Sequence, residues 1–107
     1  MNRYLREKVS SIESVGGYRL CVTFDDGFAG EADLAPLLDA GPIFAPWRDE
    51  AFFRNGCRIV CGVPEWGDDL DLSPGSLRAW CEAGRFMDFD ETDAWIAENS
   101  RQAQEVG

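Results

Sequence analysis

The chain has 107 residues, enough for one domain with a modest core. It is 45% hydrophobic, 12% aromatic and 28% charged, a globular profile that excludes a disordered chain. Twenty acidic residues oppose ten basic ones, for a net charge of -10, which disfavours direct binding to nucleic-acid phosphates or anionic membranes and favours a basic partner protein.

Met1 to Ser10 is polar and lacks an apolar core segment, so no secretory leader is expected and the reading is cytoplasmic. Val9 to Val15 predicts a first strand, ended by Gly16-Gly17. Tyr18 to Phe24 alternates, with Tyr18, Leu20, Val22 and Phe24 on one face. Asp25-Asp26-Gly27 is a turn, since glycine takes positive φ freely. Phe28 to Asp33 returns as a strand, with either Phe28, Gly30 and Ala32 or Ala29 and Glu31 facing inward. Three strands joined by tight turns make an antiparallel meander.

Leu34 to Ala40 predicts a short helix, opened at Asp33 or Ala35 and closed by Gly41-Pro42. Ile43 to Phe53 carries Phe44, Trp47, Phe52 and Phe53 around Pro46, a loop or one-turn helix laid over the core. Cys57 to Val63 reads as one further strand, with Cys57, Ile59, Cys61 and Val63 on one side and Glu65-Trp66 as an extension past Pro64.

The segment Trp66-Gly67-Asp68-Asp69-Leu70-Asp71-Leu72-Ser73-Pro74-Gly75-Ser76-Leu77 is an acidic loop running into a capped helix. Ser73 is the N-cap, Pro74 the first helical residue, and Leu72 and Leu77 occupy the two positions of a hydrophobic staple. The helix presents Leu77, Trp80 and Cys81 and stops near Gly84.

From Arg85 the character changes. The expected division is an α+β domain over residues 1-84 and an acidic helical extension over 85-107. Asp88, Asp90, Glu91 and Asp93 precede a final helix, with Asp90 as its expected cap and Trp95 as its one large aromatic. This helix is either docked through Trp95 or a partner-binding tail. A chain ending at Gly84 is expected to fold, because the sheet and the capped helix are complete without the tail, and to lose affinity for its partner.

The chain has no histidine, which removes the commonest general base and metal ligand and rules out Ser-His and Cys-His pairs within one chain. Cys21, Cys57, Cys61 and Cys81 lack the short paired spacing of zinc sites and read as reduced, mostly buried thiols, with no metal and no cofactor expected. No apolar run is long enough to span a membrane. Glu65, Asp68, Asp69 and Asp71 carry a hard-cation reading, but not at EF-hand spacing. Asp25-Asp26 is explained by its turn, so no catalytic residue is assigned.

Two blocks carry a family resemblance. Leu20-Cys21-Val22-Thr23-Phe24-Asp25-Asp26-Gly27 with Ala32-Asp33-Leu34-Ala35-Pro36-Leu37-Leu38 looks like a strand-D-G-strand-D-L-x-x-L-L run, and Trp66, Asp71, Leu72, Pro74 and Leu77 match W-x-x-x-x-D-L-x-P-x-x-L. In these the chain resembles the bacterial family catalogued as domain of unknown function 2442, over about Val9 to Trp80. It departs at Gly67, Asp68 and Asp69, where the family usually has Pro, Asn and Gly, and at Arg78, where a Tyr is frequent. The resemblance implies a small α+β domain, mainly an antiparallel sheet with short helices packed on one side. It implies no activity. Some relatives carry an appended helix-turn-helix, and others look to be encoded beside small toxin-like proteins. The segment after Gly84 is too short here for a three-helix DNA reader.

The expected function is therefore a non-enzymatic protein-interaction module, an antitoxin-like or regulatory partner of a small basic protein. Trp66, Asp68, Asp69, Asp88, Asp90, Glu91 and Trp95 are its candidate partner-binding residues. A small-molecule or divalent-cation sensor is the alternative, and a metal-dependent hydrolase the third reading.

Overall fold

Alternation in β2 (Arg19–Phe24) sets the centre of the first sheet: Leu20, Val22 and Phe24 are buried while Arg19 is exposed. The computed structural model describes residues 7–67 and 70–106, with side chains through residue 99. β1 (Val9–Gly16) and β3 (Ala29–Asp33) flank β2 in an antiparallel meander of order β1-β2-β3. The turn after β2 closes through Gly27 N–H to Phe24 C=O and Phe24 N–H to Phe28 C=O, both at 2.9 Å, with Gly27 at φ 91°. In β3, Ala32 is buried and Ala29 and Glu31 are exposed, which selects the first of the two facings. Gly30 on the inward face lets a helix approach: a Cβ there would lie 2.9 Å from Cys81 Cβ.

The second sheet, of order β4-β5-β6, corrects one expectation. Cys57 to Val63 is not a single strand. It is β4 (Cys57–Val60), a two-residue turn, and the start of β5 (Val63–Trp66), with Val60 opposite Val63. Cys61 at φ 53° and Gly62 at φ 82° are both left-handed, as a type I′ hairpin turn requires. This turn also joins the sheets, because Val9 N–H donates to Gly62 C=O at 2.9 Å. β6 (Leu70–Asp71) is short and pairs with β5.

Between the sheets, the chain forms two 3-10 helices, Ala35–Asp39 and Pro42–Arg48, and then α1 (Glu50–Asn55). Of the two forms expected over Ile43 to Phe53, a loop or a one-turn helix, the chain takes the helical one, and Asp49 caps α1 by accepting from the Ala51 N–H at 3.0 Å. These turns deliver Trp47 and Phe53, both 0% exposed, against Trp66. Trp47 meets Trp66 edge-on at 4.8 Å and Phe53 stacks on Trp66 at 5.9 Å between centroids. Trp66 donates its indole N–H to Phe53 C=O at 2.9 Å, and the Tyr18 hydroxyl donates to Trp47 C=O at 2.7 Å. The aromatic cluster is the core that the sheets share.

α2 (Pro74–Ala83) has the expected ends. Ser73 Oγ accepts from Ser76 N–H at 3.4 Å, and Gly84 closes it at φ 74°. Leu72 and Leu77 are both buried. α3 (Phe89–Val106) starts two residues earlier than Asp90 as its cap would place it. Asp88, not Asp90, is the cap: Asp88 Oδ1 accepts from Glu91 N–H at 2.8 Å, and Glu91 Oε1 accepts from Asp88 N–H at 3.3 Å. This reciprocal pair is a capping box, and it needs the Glu three residues after the cap. α3 packs on α2, so the architecture is a small α+β fold with its helices laid against the sheets.

The thiols correct another expectation: Cys81 is buried, Cys21 and Cys57 are half-buried, and Cys61 is exposed on its turn.

Candidate functional site

The loop before α2 is built to open beside a groove. Leu72 N–H donates to Pro64 C=O at 3.1 Å, which ties the loop to β5. With Leu72 held inward, Asp71 on one side of it and Ser73 on the other stay exposed. Three segments far apart in sequence then meet. The first 3-10 helix gives Leu37, the second gives Phe44, α2 gives Trp80, and the link to α3 gives Phe86 and Met87. They enclose a cavity of about 290 Å³, with Asp71, Asp88 and Phe89 at its edge. Phe89 is 89% exposed, the most exposed large apolar side chain among the described residues.

The polar groups under this groove are satisfied within the protein. Trp80 Nε1 donates to Thr92 Oγ1 at 3.0 Å, and the Thr92 hydroxyl donates in turn toward Asp88 C=O at 2.7 Å and Met87 C=O at 3.2 Å. The floor is mainly apolar, and no fully buried side-chain donor or acceptor that lines it lacks a partner: the buried unpartnered atoms among the described residues are Trp47 Nε1 and Trp95 Nε1, neither of which lines it.

The candidate residues separate by placement. Trp66 is 2% exposed and belongs to the shared core, so it presents no surface to a partner. Asp68 and Asp69 lie outside the described residues. Asp88 and Asp90 are exposed at the start of α3. Glu91 is exposed but engaged, in the capping box and with Arg85 at 3.1 Å. Trp95 is half-buried and packed against the core, which makes it the anchor of α3 on the body rather than a free anchor for a partner. Ser73 caps α2 with Pro74 in its first turn, Leu72 and Leu77 are buried at the two staple positions, and Asp71, Leu72 and Ser73 also line the groove. The sequence reading did not single out Phe89. Its one signal is an isolated large apolar residue set between Asp88 and Asp90.

A second charged feature lies under the β2–β3 turn. Arg78, 7% exposed, donates from Nη1 to both Asp26 oxygens at 3.0 Å and from Nε to Glu82 at 2.9 Å, with Glu7 at 3.5 Å. Its guanidinium stacks over Phe28, 4.1 Å from the ring centroid. The hydrogen bonds from Arg78, then that from the Phe28 amide, hold the Asp26 carboxyl below the usual carboxylate range. This cluster fastens the turn to α2; every polar contact it makes is internal.

For metal chemistry, no group of three His, Cys, Asp or Glu side chains is placed to hold an ion among the described residues. Glu65, opposite Asp71 across β5 and β6, is 3.7 Å from Arg58. Burial pushes the Cys57 and Cys81 thiols up to about 11, so both are neutral at pH 7 and neither supplies a thiolate nucleophile. Among the described residues no helix is long and apolar enough to cross a membrane. Comparison of the chain with family models, curated proteins and solved structures found no match.

Proposed function

We propose that this protein is a non-enzymatic interaction module for a small basic protein, in an antitoxin-like or regulatory pairing. The observation that carries the reading is the apolar groove with the exposed Phe89 and the exposed acids Asp71 and Asp88 at its edge. An exposed aromatic next to an apolar pocket is a surface that water disfavours and a partner covers. The acids around it speed encounter with a cationic partner and repel an anionic one. The net charge of -10 acts in the same direction over the whole surface. The resemblance of the two sequence blocks to domain of unknown function 2442 adds the expectation of a partner encoded nearby.

The test is co-isolation of the tagged full chain from its host at low ionic strength. The reading expects a stoichiometric basic protein whose recovery falls with salt and falls further in Phe89→Ser. A stoichiometric acidic partner, or a basic one that Phe89→Ser leaves fully bound, overturns it. The alternative, a cation sensor, would show as a rise in melting temperature with millimolar calcium or magnesium that Asp68→Asn with Asp69→Asn removes.

A further inference from the structure

We infer that the groove receives one aromatic side chain of the partner with a lysine or arginine next to it, the ring on the apolar floor and the cation between Asp71 and Asp88. This deepens the interaction-module reading and rests on it.

Size comes first. A cavity of about 290 Å³ sits at the lower limit of small-molecule pockets, which run from about 300 Å³ upward. It holds a large side chain more naturally than a cofactor. The floor comes next. Trp80 and Phe86 lie 4.8 Å apart between centroids at 49°, and both line the groove with Leu37 and Met87. Such a wall offers ring edges and faces to an incoming ring. Because Trp80 Nε1 and Thr92 Oγ1 are already paired with each other, a polar guest would give up hydration without gaining a hydrogen bond from the floor.

The edge decides the charge. Asp71 and Asp88 are exposed, line the groove, and take part in no ion pair among the described residues. Asp88 Oδ1 is engaged in capping α3, and this leaves the charge of the carboxylate directed to solvent. The nearest cation on α3's approach, Arg85, is already held by Glu91. A guest cation is therefore met by two carboxylates without a competing internal partner. A second copy of this chain is disfavoured as the occupant, since two surfaces of the same acidic sign would be brought together.

Two small probes with similar indole rings and opposite charges test the chemistry without the partner: tryptamine and indole-3-propionate. Amide chemical shifts of the labelled full chain are followed by NMR at neutral pH. Tryptamine is expected to move the amides of Leu37, Ser76 and Thr92 saturably, with a dissociation constant of roughly millimolar order. Indole-3-propionate is expected to bind at least about tenfold more weakly. Asp71→Asn with Asp88→Asn keeps a capping side chain at position 88 and is expected to remove most of that difference. Equal binding of the two probes to the native chain overturns the inference. So does the absence of a saturable shift at these amides, or their movement with protein concentration alone, which would place a second copy in the groove. A chain that co-isolates with a basic protein and ignores tryptamine keeps the interaction reading and loses this anchor.

Discussion

The indole N–H of Trp80 on α2 donates to the hydroxyl of Thr92 on α3 at 3.0 Å, and Thr92 is 4% exposed. The acidic extension is thereby fastened to the body by a buried polar pair. Met87, in the link between the two helices, is 2% exposed. Thr92→Val keeps the shape and leaves Trp80 Nε1 without its acceptor. We expect a loss of about 1–3 kcal/mol in urea denaturation. An unchanged midpoint would show that water replaces the hydroxyl.

Ending the chain at Gly84 removes Met87 and Thr92 and exposes Trp80. The truncated chain is expected to lose at least about 2 kcal/mol from buried apolar surface alone. The expectation drawn from sequence, that a chain ending at Gly84 still folds, is checked by whether it unfolds cooperatively at this lower stability. Truncation is therefore a poor probe of binding, and point substitutions at Phe89 or Asp90, both exposed, are better ones.

Arg78 supports the opposite side of α2. Arg78→Met is expected to cost about 3–5 kcal/mol, because it removes the largely buried cation that Glu82, Glu7 and Asp26 share. The same contact gives a pH dependence. The Asp26 carboxyl is held low by Arg78, so its contribution is complete above its unfolded value, near about 3.9, and is lost as pH falls through its lower folded value. Asp26→Asn should be less stable than the native chain at neutral pH. The gap should close in the acid range below about pH 4. A gap that stays constant down to acid unfolding would contradict the assignment.

The β4–β5 turn makes a prediction in two directions. Cys61 holds a left-handed conformation that costs an ordinary residue roughly 1 kcal/mol. Cys61→Asn is expected to stabilise by up to about 1 kcal/mol, since Asn suits the first position of a type I′ turn. Gly62→Ala is expected to destabilise by more than about 1 kcal/mol. Its Cβ would lie 2.7 Å from Lys8 Cβ, in addition to the strain of φ 82°.

At the start of α2, Ser73→Ala should cost about 0.5–2 kcal/mol. The low end is expected, because the capping bond is long at 3.4 Å. Leu77→Ala, at a fully buried position, should cost about 2–5 kcal/mol. Thermal or urea denaturation checks both, and an unchanged Leu77→Ala would mean that the site closes up completely.

Local chemistry explains which elements were legible in the sequence. Ser73, Pro74 and Gly84 mark α2 because capping is decided within three or four residues. Leu20, Val22 and Phe24 mark β2 because one face of the sheet is buried. The β4–β5 hairpin was hidden, because its turn is Cys61-Gly62 rather than the usual Asn-Gly, and alternation runs on through it. Asp88 and Asp90 are chemically equivalent candidates until the helix start is known, and Glu91, three residues after Asp88, is what separates them. Trp66 looked available because nothing in its own segment shows that Trp47 and Phe53 enclose it. The groove had no local signature. Its walls come from residues 36–44, 71–80 and 86–92, and only tertiary packing brings them together.

Amide hydrogen exchange on the complex with the co-isolated basic partner tests the central claim most directly. Compared with the free chain, new protection is predicted in segments 36–44, 71–80 and 86–92, the walls of the groove, with little change along β4. Protection confined to the exposed edge of β4, with these three segments exchanging as in the free chain, would contradict the account.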